Sequence, residues 1–417
     1  MSAIPTVSAP AAPLAIRWAR VFAALFLGLM LLEVGGRLLI WRWSGRPYRS
    51  LAPYRWSAYG LVRNNPDLNS PAFQINRNGF RDFKDYQPTK RPGTLRVLLM
   101  GGSTLYSGLG RWIIPGIQRV DSGHTISQYM EKELRADPAL AGVEIEVINA
   151  GVNFNRVVEI SSAYLTEYVH WRPDFVIVCG SANNFGYAPA AGTVHQHQFG
   201  IQQPHPWHLE FQRMVNDRSV LANVERSYRG IEEHCAVMAL GRKATDKLVN
   251  AGFRVREQLT RRLRLTPPGP PAPPLADLAE ADLYINEYLG YADAMVSVAR
   301  RHGQQVSFFW EHFIAHLDGI KPFTPMERLL YQHNRPSTAE EDARFEHHAR
   351  GRVRDYCATQ QVPFLDPLEA LRHSDETVFI DYLHYTKEGN RFMARFMHEQ
   401  LKPALHRRAQ ELRVPRP

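Results

Sequence analysis

The chain has 417 residues, 44% of them hydrophobic, which is enough for a sizeable core in one large domain or two. Its 50 Lys and Arg against 41 Asp and Glu give a net charge of +9, but no recognised nucleic-acid-binding motif accompanies that charge, so no nucleic-acid partner is expected. The 3 cysteines, Cys179, Cys235 and Cys357, have no metal-binding spacing and form no disulfide framework.

Residues 1–16 are rich in Ala, Pro and Ser and are expected to be disordered. Val21–Leu32 is an unbroken apolar run, and apolar character resumes to Ile40 and Trp43. Residues 17–43 are therefore read as one transmembrane helix, since about 20 apolar residues cross a bilayer. Trp18, Trp41 and Trp43 flank it as an interfacial belt would. Glu33 and Arg37 interrupt it four positions apart, on one helical face where they can pair. A cleaved signal peptide and a buried core helix are the alternatives. No small-x-small cleavage site followed by an obvious mature start stands out, which favours an anchor. Residues 44–95 read as a linker and N-terminal cap segment, with a tight turn at Asn78-Gly79.

The sequence then reaches Arg96–Gly110, RVLLMGGSTLYSGLG. An apolar run stopped by two glycines predicts a fully buried strand. Ser103 follows at the carboxyl end, where open α/β sheets place their ligands. One reading makes Ser103 a nucleophile; the other makes it only the N-cap of the next helix. No lysine is present for a phosphate-binding loop. Leu105 stands where the G-x-S-x-G elbow of α/β-hydrolases needs glycine.

A helix is expected around His124–Leu134, a strand at Val143–Ile148, a helix at Val157–Tyr168 and a buried strand at Phe175–Cys179. This alternation predicts a parallel sheet with helices on both faces. The insertion at about 186–275 is too long for a simple loop. It holds His195, His197, His205, His208 and His234, and a basic run from Arg242 to Arg264 that is a solvated face or lies against anionic headgroups. No acid or cysteine at ligand spacing joins His195-x-His197, so no metal is expected. Thr266–Pro274, TPPGPPAPP, is a stiff linker. A helix is expected at Leu278–Arg301, a strand at Val306–Trp310, and a loop at Glu311–Tyr331 that crosses the carboxyl edge and lines a pocket. A polar helix at Ala339–Thr359 and an edge strand at Val362–Leu365, marked by Pro363, follow. Residues 406–417 read as a basic tail.

Val378–Asn390, VFIDYLHYTKEGN, supplies the second half of a site. Asp381 and His384 are three residues apart on the loop before the last helix, whose N-cap is Thr386. A carboxylate that close can bind one imidazole nitrogen, fix the tautomer and leave the other nitrogen as a base. That is what a serine nucleophile needs, because its hydroxyl is weak until a base takes its proton.

The GGST stretch at Ser103 and Asp381-x-x-His384 resemble the first and last motif blocks of the SGNH (GDSL-type) hydrolase superfamily. The resemblance covers roughly Val97 to Leu405 and places the domain at 96–405. Val147–Arg156, VINAGVNFNR, resembles the second block, and Phe175–Gly186, FVIVCGSANNFG, the third. It implies a flavodoxin-like three-layer α/β/α fold, with Ser103, His384 and Asp381 as a catalytic triad. It also implies an oxyanion hole from the N–H of Ser103, the side chain of Asn183, and the N–H of Phe154 or Gly151. Phe154 stands where the family has glycine, and Asn184 where it usually has Asp. Phe73–Phe83 resembles a segment found before the nucleophile strand in anchored members. The implied activity is that of a membrane-anchored serine esterase on an acylated glycan or lipid, without metal or organic cofactor. An O-acyltransferase for a surface polysaccharide and a catalytically impaired glycan-binding protein are the alternatives. Positive charge at Arg37, Arg42, Arg46, Arg49 and Arg55 puts the domain in the cytoplasm by the positive-inside rule. Proteins of this resemblance usually carry it outside, in the periplasm or extracellular space, and that placement is expected here.

Overall fold

The computed structural model describes residues 14–44, 54–59, 61–66, 73–107, 120–186, 235–238, 240–241, 244, 277–334 and 339–413. Residues 1–13 of the expected disordered start, the five insertion histidines, nearly all of the basic run and the Pro-rich linker lie outside them, while residues 14–16 are helical. The chain divides into two units, one holding the N-terminal helix with part of the insertion, the other the α/β domain.

In the first unit, α1 spans Leu14–Ser44. Its stretch Trp18–Arg42 is long and apolar enough to cross a membrane. Only 11% of the most apolar window is buried. Phe22, Phe26, Leu29 and Leu31 are among its exposed side chains. Glu33 pairs with Arg37 at 2.7 Å. The same carboxylate accepts the N–H groups of Ala236 and Val237 at 2.9 and 3.1 Å. It thereby satisfies two N–H groups at the start of a short helical segment that carries no intrahelical acceptor for them. Ala236 and Leu240 of that segment pack against Ile40.

The α/β domain is built on five parallel strands: β3 (Thr94–Gly101), β4 (Glu144–Asn149), β5 (Phe175–Cys179), β6 (Gln305–Phe309) and β7 (Phe364–Leu365). Their spatial order is β4-β3-β5-β6-β7. The chain runs from β3 to one side, then crosses back to its other side, which is the flavodoxin-like order. A small antiparallel pair, β1 (Tyr54–Trp56) and β2 (Val62–Asn64), precedes it.

Every residue of β3 is buried, and alternate side chains enter different cores. Leu98 and Met100 join one with Val176, Val178, Val306 and Phe308. Leu95, Val97 and Leu99 join the other with Ile145, Val147 and Ile177. Fully burying one such side chain stabilises the fold by about 1.5–3 kcal/mol. The first core is covered by α4 (Val157–Thr166), α6 (Leu278–Arg301) and α8 (Ala339–Gln360). The second is covered by α3 (Ile126–Ala136), α7 (Pro325–Asn334) and α10 (Lys387–Arg413). Short helices α2 (Ser103–Tyr106), α5 (Ala182–Phe185) and α9 (Leu368–Arg372) fill the connections.

Two expectations change. Glu311–Tyr331 is not one loop: a 3-10 turn at Ile314–His316 and the start of α7 occupy it. The basic tail is not free either, because α10 continues to Arg413. His406 binds Asp137 at 2.7 Å, Arg408 binds Asp174 at 2.8 Å, and Arg413 donates to the carbonyls of Ala139 and Ala141. The cap segment sends one charge inward, which sequence did not indicate: Arg81 is fully buried, with its guanidinium 3.7 Å over the Phe73 ring. It donates to the Tyr106 carbonyl at 3.2 Å and to the Ser122 hydroxyl, and so braces the end of α2 from below.

Candidate active site

β3 and β5 run side by side, with Gly101 opposite Cys179. The two strands are parallel, but the order in which strands are added reverses between them, so their carboxyl ends open the crevice where such sheets bind ligands. The end of β3 is crowded, and Gly101 has no room for a side chain. A Cβ on Gly101 would overlap the Cys179 carbonyl oxygen, and one on Gly102 the Asn183 amide. The chain then turns into α2, whose first residue is Ser103 and whose N-cap is Gly102. Ser103 is therefore not the N-cap, and its hydroxyl is left for a different partner.

That partner is His384, whose Nε2 lies 2.8 Å from Ser103 Oγ. His384 Nδ1 lies 2.7 Å from Asp381 Oδ2. The other oxygen of Asp381 accepts the N–H groups of Leu383 and His384 at 2.9 and 2.7 Å. Burial alone would raise the Asp381 carboxyl; its hydrogen bond and charge contact with His384, with those two N–H groups, hold it below the usual range instead. An ionised acceptor at Nδ1 keeps the proton on that nitrogen and leaves Nε2 as the acceptor toward Ser103.

The loop bearing Asp381 and His384 has its own support. Glu327 accepts the N–H groups of Val378 and Phe379 at 2.9 and 3.4 Å and binds Lys321 at 2.7 Å, with both side chains of that ion pair fully buried. At its far end Thr386 accepts the Gly389 N–H at 2.9 Å, as an N-cap of α10 does.

Asn183, in α5 past the end of β5, donates through Nδ2 to the Asn155 carbonyl at 2.8 Å. An amide nitrogen has two hydrogens, so one remains. The Gly151 N–H is already engaged: it donates to Asn149 Oδ1 at 3.0 Å, and Asn149 Nδ2 donates to the Leu105 carbonyl at 2.9 Å. Asn149 thus ties the end of β4 to α2, and the Gly151 N–H holds the Asn149 side chain in place. Phe154 has φ 66°, the left-handed region in which a Cβ is strained, and its side chain is 56% exposed. Asn184 donates to the Gly180 carbonyl within its own turn.

Glu311 was not foreseen. It lies just past β6 and is 3% exposed. It accepts the Thr104 hydroxyl and the Ala182 N–H, the latter at 3.1 Å, while its own N–H donates to Ser181 Oγ at 2.8 Å. Burial raises its carboxyl above the usual range against those hydrogen bonds. The signal available in sequence was its position one residue after the expected strand Val306–Trp310, at the sheet's carboxyl edge. Beside Asn183 opens a pocket of about 200 Å³, lined also by Arg156, Tyr284, Phe313, Tyr382 and Leu383. Among the described residues no cluster of three His, Cys, Asp or Glu could hold a metal ion. Cys179 is buried, which pushes its thiol well up and makes it a poor nucleophile.

No protein-family model matches the chain, and no curated protein does. Among solved structures it is similar to Axe2, an acetylxylan esterase from Geobacillus stearothermophilus, at 14% identity over 74% of this chain and 94% of that one, with a TM-score of 0.35. It is also similar to the acetyl xylan esterase AlAXEase, at 10% identity over 73% and 98%, with a TM-score of 0.38. A third is a lipolytic protein of the G-D-S-L family from Desulfitobacterium hafniense, at 10% identity over 74% and 100%, with a TM-score of 0.35.

Proposed function

We propose that this chain is a membrane-anchored serine ester hydrolase of the SGNH type, acting on an acylated glycan or lipid. The observation that carries the reading is the unbroken line from Asp381 through His384 to Ser103, with contacts of 2.7 and 2.8 Å. In the first half-reaction His384 Nε2 takes the Ser103 proton as Oγ attacks the ester carbonyl. Asp381 stabilises the imidazolium that forms. Charge gathering on the carbonyl oxygen is met by the Ser103 N–H, which has no intrahelical acceptor at the first position of a helix. The second hydrogen of Asn183 Nδ2 joins it, and the sequence resemblance assigns the Phe154 N–H to the same hole. Gly151 is left out because its N–H serves Asn149. The imidazolium returns its proton to the leaving alkoxide, and the acyl group stays on Ser103. Water, deprotonated by the same nitrogen, then releases the acid. The base contributes ~10²–10⁴ in rate and one oxyanion donor ~10²–10³.

Phe154 does not argue for an impaired site. Its side chain is exposed to solvent, and its backbone keeps the positive φ that a glycine there would adopt. We read α1 as the anchor and place the α/β domain outside the cytoplasm, following the sequence resemblance rather than the arginine count. A fluorophosphonate probe on the purified protein tests the catalytic reading. Labelling that disappears in Ser103→Ala and slows strongly in His384→Ala supports it. A wild type that resists the probe across the pH range contradicts it. Adding a glycan acceptor with an activated ester then separates acyl release to water from acyl transfer.

A further inference from the structure

We infer that Glu311 is a positioning residue, a clamp that holds the turn carrying Ser103 and the turn carrying Asn183 in register. The catalytic part of this inference rests on the esterase reading above. The two turns leave adjacent strands, β3 and β5, and among the described residues the last backbone hydrogen bond between the two segments is Gly102 N–H to the Cys179 carbonyl at 3.3 Å, before either Ser103 or Asn183. Glu311 leaves β6, on the far side of β5, and reaches beneath both. One carboxylate oxygen takes the hydroxyl of Thr104, the residue after Ser103. The other takes the N–H of Ala182, the residue before Asn183. Its backbone N–H holds Ser181 as well. A carboxylate fixes the separation of its two oxygens, so it fixes the spacing of the two turns.

The choice of residue is expensive in stability. Among the described residues Glu311 makes no ion pair, and a buried carboxylate without a cation carries a large desolvation cost. An apolar side chain would pack β6 without that cost. What an apolar side chain does not supply is a pair of acceptors facing two loops. The Ser103 N–H and the Asn183 amide must converge on one oxyanion, and a displacement of about 1 Å in such a site costs about 10²-fold in rate.

The test compares the full-length protein with Glu311→Ala, Glu311→Gln, Thr104→Val and Thr104→Ser, on an activated ester and by hydrogen exchange at the Ala182 amide. Glutamine can still span both partners, its oxygen accepting from the Ala182 N–H and its amide nitrogen donating to Thr104 Oγ, whose hydroxyl can turn to accept, and serine keeps the hydroxyl. Glu311→Ala is expected to lose about 100-fold in kcat with KM within about threefold. Thr104→Val, which removes one contact and carries the test if Glu311→Ala does not fold, is expected to lose about 10-fold. Glu311→Gln and Thr104→Ser should each recover most of the corresponding loss. Exchange at Ala182 should speed up in Glu311→Ala and Thr104→Val by more than exchange at amides elsewhere in the domain. Three results overturn the clamp: kcat near wild type in both of those variants, a loss confined to KM, or Glu311→Gln no better than Glu311→Ala. If the wild type turns over no ester, the esterase reading fails, and the exchange data decide the clamp alone: faster exchange upholds it and unchanged exchange overturns it.

Discussion

Asn183 Nδ2 donates to the Asn155 carbonyl across 2.8 Å, which fixes the amide at the mouth of the crevice before any substrate arrives. A donor held by the protein needs no reorganisation when charge develops on the substrate. Asn183→Ala is therefore expected to lower kcat by ~10²–10³ with little change in KM. Steady-state kinetics on an activated ester measure this, and a loss below tenfold would remove Asn183 from the oxyanion hole.

The Asp381 carboxyl titrates below its usual range in the folded protein, so the sign of its contribution is set. Its stability contribution is fully present above the unfolded carboxyl pKa of about 3.9 and is lost as pH falls through the depressed folded value. Urea unfolding of wild type and Asp381→Asn as a function of pH should show a gap that is constant near neutrality and closes below about pH 4. A gap that widens on acidification would contradict the assignment.

Lys321 and Glu327 form a fully buried ion pair, and Glu327 also holds the backbone of Val378 and Phe379, where the loop bearing Asp381 and His384 begins. Lys321→Met leaves a buried carboxylate without its cation, which costs about 3–5 kcal/mol. Chemical denaturation is the measurement. A change under about 1 kcal/mol would show that the pair is not isolated from water.

Phe154 sits at φ 66°, where a Cβ costs roughly 1–2 kcal/mol. Comparison of Phe154→Gly with Phe154→Ala isolates that strain, because both remove the same exposed ring. The glycine variant should be the more stable by about 1 kcal/mol in thermal unfolding. Equal stability would mean that the loop relaxes to another backbone conformation.

In the N-terminal unit a Cβ built on Gly36 lies 3.5 Å from the Ala236 Cβ, within the range a disulfide spans. In a Cys235→Ser background, Gly36→Cys with Ala236→Cys should cross-link on mild oxidation. Non-reducing electrophoresis after proteolysis within the insertion reads the result. Absence of the cross-link would mean that the segment around Ala236 does not rest on α1.

What could be read in the sequence is what local pattern determines. β3 was visible because a wholly apolar run stopped by Gly101-Gly102 has few alternatives, and α6 because its apolar spacing is helical throughout. Asp381 and His384 were visible because three residues is the separation at which a loop lets a carboxylate reach its neighbour's imidazole. Glu311 was hidden, since its meaning depends on Thr104 and Ala182 arriving from two other strands. The role of Gly151 was hidden for the same reason: a motif shows that a glycine is present, whereas the Asn149 side chain decides where its N–H goes. The end of α10 looked like a tail because its charges have no partners in sequence. Its partners are Asp137 and Asp174, more than two hundred residues away.

The account depends most on Ser103 as the acyl-bearing residue. Acid quenching of the protein during turnover of an isotopically labelled acetyl ester, followed by peptide mass spectrometry, observes that residue directly. The account predicts labelled acetyl on the peptide containing Ser103, absent in Ser103→Ala and much slower to form in His384→Ala. Turnover with the label on another residue, or with no covalent label under conditions that trap acyl-enzymes, would contradict it.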